Sequence, residues 1–273
     1  MTHTRALILA GLGIVACIWF WLSMARPLLK RARAYIAQVS TCGYLPAPPS
    51  PGAVAFLRGL ARFFAWWQAG KLTVIGRENL KISGPFVLAP NHPHYVDPAI
   101  AVLILDRPAR FMAARGVFRA LWGLGSLICS RVGAFAADLT PGKGGPAREA
   151  GIKVLTSGQT LVMFPEGWAY LDGKLGQLKK GAVRIAREAQ NRRGSPVHIV
   201  PVFLRYGRYP GSWIKKLNPT LEYLFLFLNA WYYRRGVTAV VGKPISSAEL
   251  PLDDARATEL LAQRIVALDP AKS

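Results

Sequence analysis

From residue 72 onward the chain alternates between two hydrophobic rhythms. Short runs rich in β-branched and aromatic residues, "LTVIG", "FVLAP", "RFMAA", "VGAFA", "TLVMF", "HIVPVFL" and "VTAVVG", read as strands. Between them, apolar residues recur at helical spacing near residues 98 to 105, 117 to 130, 147 to 157, 178 to 190 and 253 to 267. The alternation predicts an α/β fold: a largely parallel, buried sheet flanked by helices. A further apolar run, "LEYLFLFLNAWYY" at 221 to 233, is short for a membrane span and closed by Arg234 and Arg235, so it reads as a buried or interfacial helix.

The first quarter of the chain follows another pattern. "ALILAGLGIVACIWFWLSMA", residues 6 to 25, carries no charge, and as a helix rising roughly 1.5 Å per residue it would cover roughly 30 Å of hydrocarbon. A cleaved signal peptide is the competing reading, because Ser23, Met24 and Ala25 loosely resemble a cleavage site. The basic flank of Arg26, Lys30, Arg31 and Arg33 outweighs Arg5, so an N-terminal membrane-anchoring segment over 1–44 would leave the bulk of the chain in the cytoplasm. A Pro-rich linker follows at 45–52, then a helix over 53–71 in which Phe63, Phe64, Trp66 and Trp67 suit a bilayer interface or, equally, an aromatic core. The domain proper spans 72–273.

Composition narrows the class of function. A hydrophobic share of 52% supports a membrane connection, and a net charge of +21 calls for anionic company. Nucleic acid is disfavoured, since the basic residues are scattered and no nucleic-acid-binding motif is present. Membrane lipids, an anionic bilayer surface and phosphorylated substrates account for charge and hydropathy together. The odd cysteines Cys17, Cys42 and Cys129 form no close pair, which agrees with a reducing compartment.

Chemistry concentrates in "LAPNHPHYVDPA", residues 88 to 99. His92 leaves the end of a strand, and Asp97 with Pro98 has the look of a helix N-cap followed by proline. Five positions allow the carboxylate to fold back onto one imidazole nitrogen and leave the other free to take a proton, which makes a general base. Two other readings stay open. His92, His94 and Asp97 could supply part of a metal site, although the H-x-H-x-D spacing of metallo-hydrolases would want the aspartate one residue earlier. His92 could also be satisfied by a loop carbonyl, with Asp97 a simple cap. A second strand end, "TLVMFPEGWAY", delivers Glu166 on a tight turn.

Together, N-H-x-x-x-x-D and F-P-E-G, about seventy residues apart and each after a strand, resemble the glycerolipid acyltransferases, whose best-known members are bacterial 1-acylglycerol-3-phosphate acyltransferases. The resemblance runs from about Leu72 to Gly242 and extends to "QLKKGAVRIAREA" and to Val200, Pro201 and Val202. It implies acyl transfer from acyl-CoA or acyl-carrier protein, as co-substrate and without a further cofactor or metal, to a hydroxyl of a glycerol-phosphate lipid. His92 would be the base and Asp97 its orienting partner, while Phe164, Pro165, Glu166, Gly167 and Pro201 would border the substrates. Glu166 would either bind the acceptor or tie down its turn. The chain has no G-x-S-x-G elbow, and no cysteine lies near either histidine, so no acyl-enzyme is expected.

The phosphate-binding blocks depart from the family pattern. Asp138 stands about where an arginine belongs, and Trp168, Ala169 and Tyr170 follow the F-P-E-G turn. Arg115, Arg131 or Lys143 could replace the missing contacts, and the "PGKGG" loop would let backbone amides and the Lys143 ammonium approach a phosphate together.

Overall fold

Strand β2 (Phe86–Pro90) is buried at all five positions, as a strand covered on both faces must be. In this computed structural model, which describes Trp19 and residues 22–23, 26–119, 124–217 and 219–271, β2 lies at the centre of an eight-stranded sheet. With β1 (Leu72–Ile75), β3 (Ala109–Ala114), β4 (Phe135–Ala137), β5 (Thr160–Val162), β6 (His198–Tyr206), β7 (Val237–Val241) and β8 (Ile245–Ser246), the order is β1-β7-β6-β2-β5-β3-β4, with β8 pairing β6. The block β6-β2-β5-β3-β4 is parallel throughout. The pair β1–β7 is parallel within itself but antiparallel to β6, as is β8.

Side-chain alternation divides the core in two. Val87 and Ala89, with Ile199 and Phe203, face one layer; Phe86 and Leu88, with Val200, Val202 and Leu204, face the other. The helices order themselves accordingly. The helices α1 (Arg26–Val39), α2 (Pro51–Gln68) and α3 (Asp97–Ile104) come first in the chain, then α4 (Arg115–Arg119), α5 (Leu124–Arg131), α6 (Gly145–Thr156) and α7 (Gly181–Arg193), and finally α8 (Pro219–Leu228), α9 (Ala230–Tyr233) and α10 (Asp254–Val266). Helices α6, α7 and α10 pack in the first layer, and α2 and α3 in the second.

All seven expected strands are present, and β8 is added. The helix expected over 117 to 130 is seen as α4 and α5, with residues 120–123 outside the described residues. The basic stretch after residue 25 is helical in α1, and the 221 to 233 run forms α8 and α9. The expected anchor at 6 to 25 falls almost wholly outside the described residues; among those described, no helix is long and apolar enough to cross a membrane.

The proline-rich stretch is a strap pinned to the sheet rather than a free spacer. Arg110 on β3, 4% exposed, donates to the carbonyls of Pro46 (2.8 Å), Ala47 (3.1 Å) and Gly133 (3.2 Å) and to Gln159 (2.9 Å). Gly43 adds an N–H bond to the Ala136 carbonyl at 3.0 Å. Replacement Arg110→Met keeps the apolar stem and strands these acceptors, so the free energy of chemical unfolding should fall by about 3 kcal/mol; an unchanged midpoint would show that the strap is held by other contacts.

Candidate active site

Parallel strands point their C-terminal ends to one edge, where the loops after β6, β2, β5, β3 and β4 lie side by side. Asn91 fixes the departure from β2. Its N–H bonds the Val202 carbonyl, while its side chain accepts from the Leu204 N–H at 2.6 Å and donates to the Leu204 carbonyl at 3.2 Å. The amide thereby replaces one rung of the β2–β6 ladder and lets the chain turn away with its polar groups satisfied.

The next five residues fold around a single carboxylate. Asp97 is fully buried, and its oxygens accept from His92 Nδ1 (2.7 Å), the His94 N–H (2.7 Å) and the Tyr206 hydroxyl (2.5 Å). It is not the N-cap the sequence suggested: Val96 holds that place, and Asp97 is the first residue of α3 with its carboxylate turned back into the loop. The helix N-terminus favours the negative charge there. A carboxylate can only accept, so His92 Nδ1 donates and Nε2 is the ring nitrogen left for a ligand. The His92 ring stacks on Phe164 with centroids 4.2 Å apart, and its side chain is 16% exposed. Burial and then the charge of Asp97 raise the Tyr206 pKa well above its ordinary value, so the phenol remains a donor.

His94 has a different environment. It is 1% exposed, its Nδ1 accepts from the Val96 N–H at 3.2 Å, and its ring stacks on Tyr206 at 5.1 Å. Burial lowers its pKa from 6.5 to about 4, with Asp97 opposing, so the ring is neutral near pH 7. This is a packing histidine. Among the described residues no group of three or more His, Cys, Asp or Glu side chains could hold a metal ion, and the metal-site reading of His92, His94 and Asp97 finds no ligand set there.

Glu166 reaches the site from the loop after β5, where Gly167 takes a positive φ of 71° and bonds back to the Phe164 carbonyl. Its carboxylate is 3% exposed and accepts the N–H of His92 on one oxygen and of Gly176 on the other, both at 2.6 Å. Both oxygens are thus committed to backbone. Burial raises its pKa, and the two N–H bonds work against the rise. Tyr170 closes the circuit by donating its N–H to the His92 carbonyl at 2.7 Å. Its ring lies so close over Gly176 that a Cβ there would sit 2.1 Å from it, which leaves room for glycine alone. Lys215 caps the segment through the Ala169 carbonyl and lies over the rings of Trp168 and Tyr170.

The structure therefore brings together His92, Asp97, Phe164, Pro165, Glu166 and Gly167. Arg115 begins α4 at the end of β3, two strands from His92, and its buried Nε has no hydrogen-bond partner among the described residues. Lys143 is exposed in the loop after β4, and both cations help to lower the pKa of Asp138, after the larger effect of its bonds from Thr140. Pro201 is not at the mouth: it is buried inside β6 opposite Ala89, and its carbonyl accepts from Gly242. Sequence reasoning missed Tyr206 and the task of Asn91. The signal for Tyr206 was its place as the last residue of a parallel strand, in step with Val202 and Leu204.

The chain is similar to known proteins over this domain. Residues 71–205 match the family model described as Acyltransferase. A 1-acyl-sn-glycerol-3-phosphate acyltransferase of Chlamydomonas reinhardtii is 29% identical over 143 residues, covering 49% of this chain and 38% of that protein, so the chain spans well under half of that relative's length. Among solved structures, the 1-acyl-sn-glycerophosphate (LPA) acyltransferase PlsC of Thermotoga maritima shares the fold, with a TM-score of 0.55, 17% identity and full coverage of both chains.

The depressed His94 pKa makes a pH prediction. Below pH 6.5 the unfolded chain takes up a proton that the folded chain refuses until about pH 4, so stability present at neutral pH is lost across that window as the pH falls. Between about pH 7 and about pH 4.5 the wild type should lose roughly 2 to 3 kcal/mol more unfolding free energy than His94→Asn, measured by chemical unfolding. Equal losses would mean that His94 accepts a proton in the folded protein.

Proposed function

We propose that the chain is an O-acyltransferase. It moves a fatty acyl group from acyl-CoA or acyl-carrier protein to the hydroxyl of a lysophospholipid, with 1-acylglycerol 3-phosphate, giving phosphatidate, as the acceptor. The observation that carries this reading is the buried Asp97 carboxylate on His92 Nδ1 at 2.7 Å, which leaves Nε2 as a base at a strand-end edge. Family and fold support it.

His92 Nε2 takes the proton of the acceptor hydroxyl as its oxygen attacks the thioester carbonyl. Asp97 stabilises the imidazolium that forms, and Tyr206 and the His94 N–H hold Asp97 in place. Collapse of the tetrahedral intermediate breaks the C–S bond, and the imidazolium returns its proton to the departing thiolate. Ester and thiol are the products, and no acyl-enzyme forms. Glu166 sets the position of the His92 backbone, while Arg115 and Lys143 are the cations offered to the acceptor phosphate. The apolar segment at 6 to 25 would hold the protein on the membrane, as a single-pass or monotopic anchor, with this domain in the cytoplasm.

Membranes containing the wild type should convert labelled acyl-CoA and lysophosphatidate to phosphatidate, and His92→Ala should lower turnover by about 10²- to 10⁴-fold without loss of folding. Equal turnover by both would remove His92 as the base. Transfer that depends on His92 but goes to glycerol 3-phosphate, another lysophospholipid or an amino-acid lipid would keep the mechanism and change the acceptor.

Glu166→Gln puts an NH2 group against a backbone N–H, so melting temperature and turnover should fall together. Lost turnover at an unchanged melting temperature would instead give Glu166 a direct contact with substrate.

A further inference from the structure

Helices α8 and α9 are apolar on two sides, and among the described residues only one of these is packed. On the inner side, Leu226 and Tyr233 are buried with Ala169, Leu171 and Ile214, and Tyr95 packs against the same cluster. Tyr95 lies between His92 and Asp97, and Ala169 and Leu171 follow the Phe-Pro-Glu-Gly turn. The arm thus rests directly on the two loops that build the site. A polar tie reinforces the seat: the Tyr95 hydroxyl donates to Glu222 at 2.5 Å, and Glu222 is 7% exposed.

On the outer side, Leu221, Leu224, Leu228 and Trp231 are 49 to 71% exposed. At about 100° per residue, positions 221, 224 and 228 form one stripe opposite 222 and 226. The stripe continues onto α2, whose Trp67 ring lies 5.8 Å from that of Phe227 and donates its N–H to the Phe227 carbonyl, and whose Phe63 and Trp66 are about half exposed. A contiguous apolar face of this kind marks a partner.

Charge identifies which partner. Arg234 lies over Trp66 and Arg208 over Tyr232, each guanidinium 4.1 Å from the ring centroid. The chain holds no Asp or Glu before Glu78, and the sole acidic residue between Glu188 and Glu249 is the buried Glu222. Aromatic and aliphatic side chains flanked by cations, on helices that carry no exposed carboxylate, fit the headgroup boundary of an anionic bilayer.

We propose that the outer face of α8–α9, continuous with that of α2, docks on anionic bilayer surface and holds the His92 and Glu166 loops at headgroup level. The purpose of this placement rests on the acyltransferase reading; the docking does not. Nitroxide labels at Leu224→Cys and Leu228→Cys in the full chain, with Cys17, Cys42 and Cys129 replaced by alanine, report depth on vesicles of phosphatidylcholine and phosphatidylglycerol. Labels at 224 and 228 should collide with dissolved oxygen far more than with an aqueous nickel chelate, and a reference label at Glu259→Cys on α10 should do the reverse. An aqueous signature at 224 and 228 on vesicle-bound protein overturns the proposal. So does shielding from both reagents, which would show protein covering the face, either residues 1–25 or, where dilution relieves it, a second copy. The pair Leu224→Glu and Leu228→Glu, both at exposed positions, should cut turnover on vesicles about tenfold or more at an unchanged melting temperature. Because depth is read without turnover, a chain that docks as stated but transfers no acyl group contradicts the function and leaves the docking surface standing.

Discussion

A carboxylate sealed from water must find its donors inside the protein, and Asp97 finds three on two separate elements. His92 and the His94 N–H come from the loop after β2, and the Tyr206 hydroxyl comes from the end of β6. The arrangement exists only while β2 and β6 keep their register, which pairs Pro90 with Val202 and lets the Asn91 side chain take the next rung on Leu204. A slip of one residue would turn Tyr206 to the other face of the sheet. The site's geometry is therefore a property of the sheet and not of the loop alone.

The two carboxylates near His92 have separate tasks. Asp97 engages the imidazole and so bears on its chemistry, whereas Glu166 spends both oxygens on backbone N–H groups and bears on where the imidazole sits. His94 adds neither charge nor a ligand: it packs on Tyr206 and stays neutral because burial makes its protonation costly. Of the two imidazoles in this loop, His92 is the one engaged by the buried carboxylate.

Much of the fold and half of the site were legible in the sequence. Seven strands announced themselves as short apolar runs between turns, and the pairing of His92 with Asp97 is local enough to be read from a five-residue spacing. What was hidden depends on contacts across the chain. Tyr206 meets Asp97 from 109 residues away, and its place at the end of β6 puts it at the site's edge without saying which group it meets. The reversal of β7 against β6, the burial of Pro201 under Gly242 and the pinning of the proline strap by Arg110 belong to the same class. The cap position of Asp97 misled for another reason, since an aspartate before proline at a helix start reads the same whether its carboxylate caps the helix or turns back into the loop.

The central claim is that Asp97 keeps the proton on His92 Nδ1 and presents an unprotonated Nε2 to the acceptor hydroxyl. Nitrogen-15 spectra of protein labelled at its four histidines measure this directly. In the neutral ring of His92, the account predicts a protonated Nδ1 and a bare Nε2; a neutral His92 carrying its proton on Nε2 would contradict it.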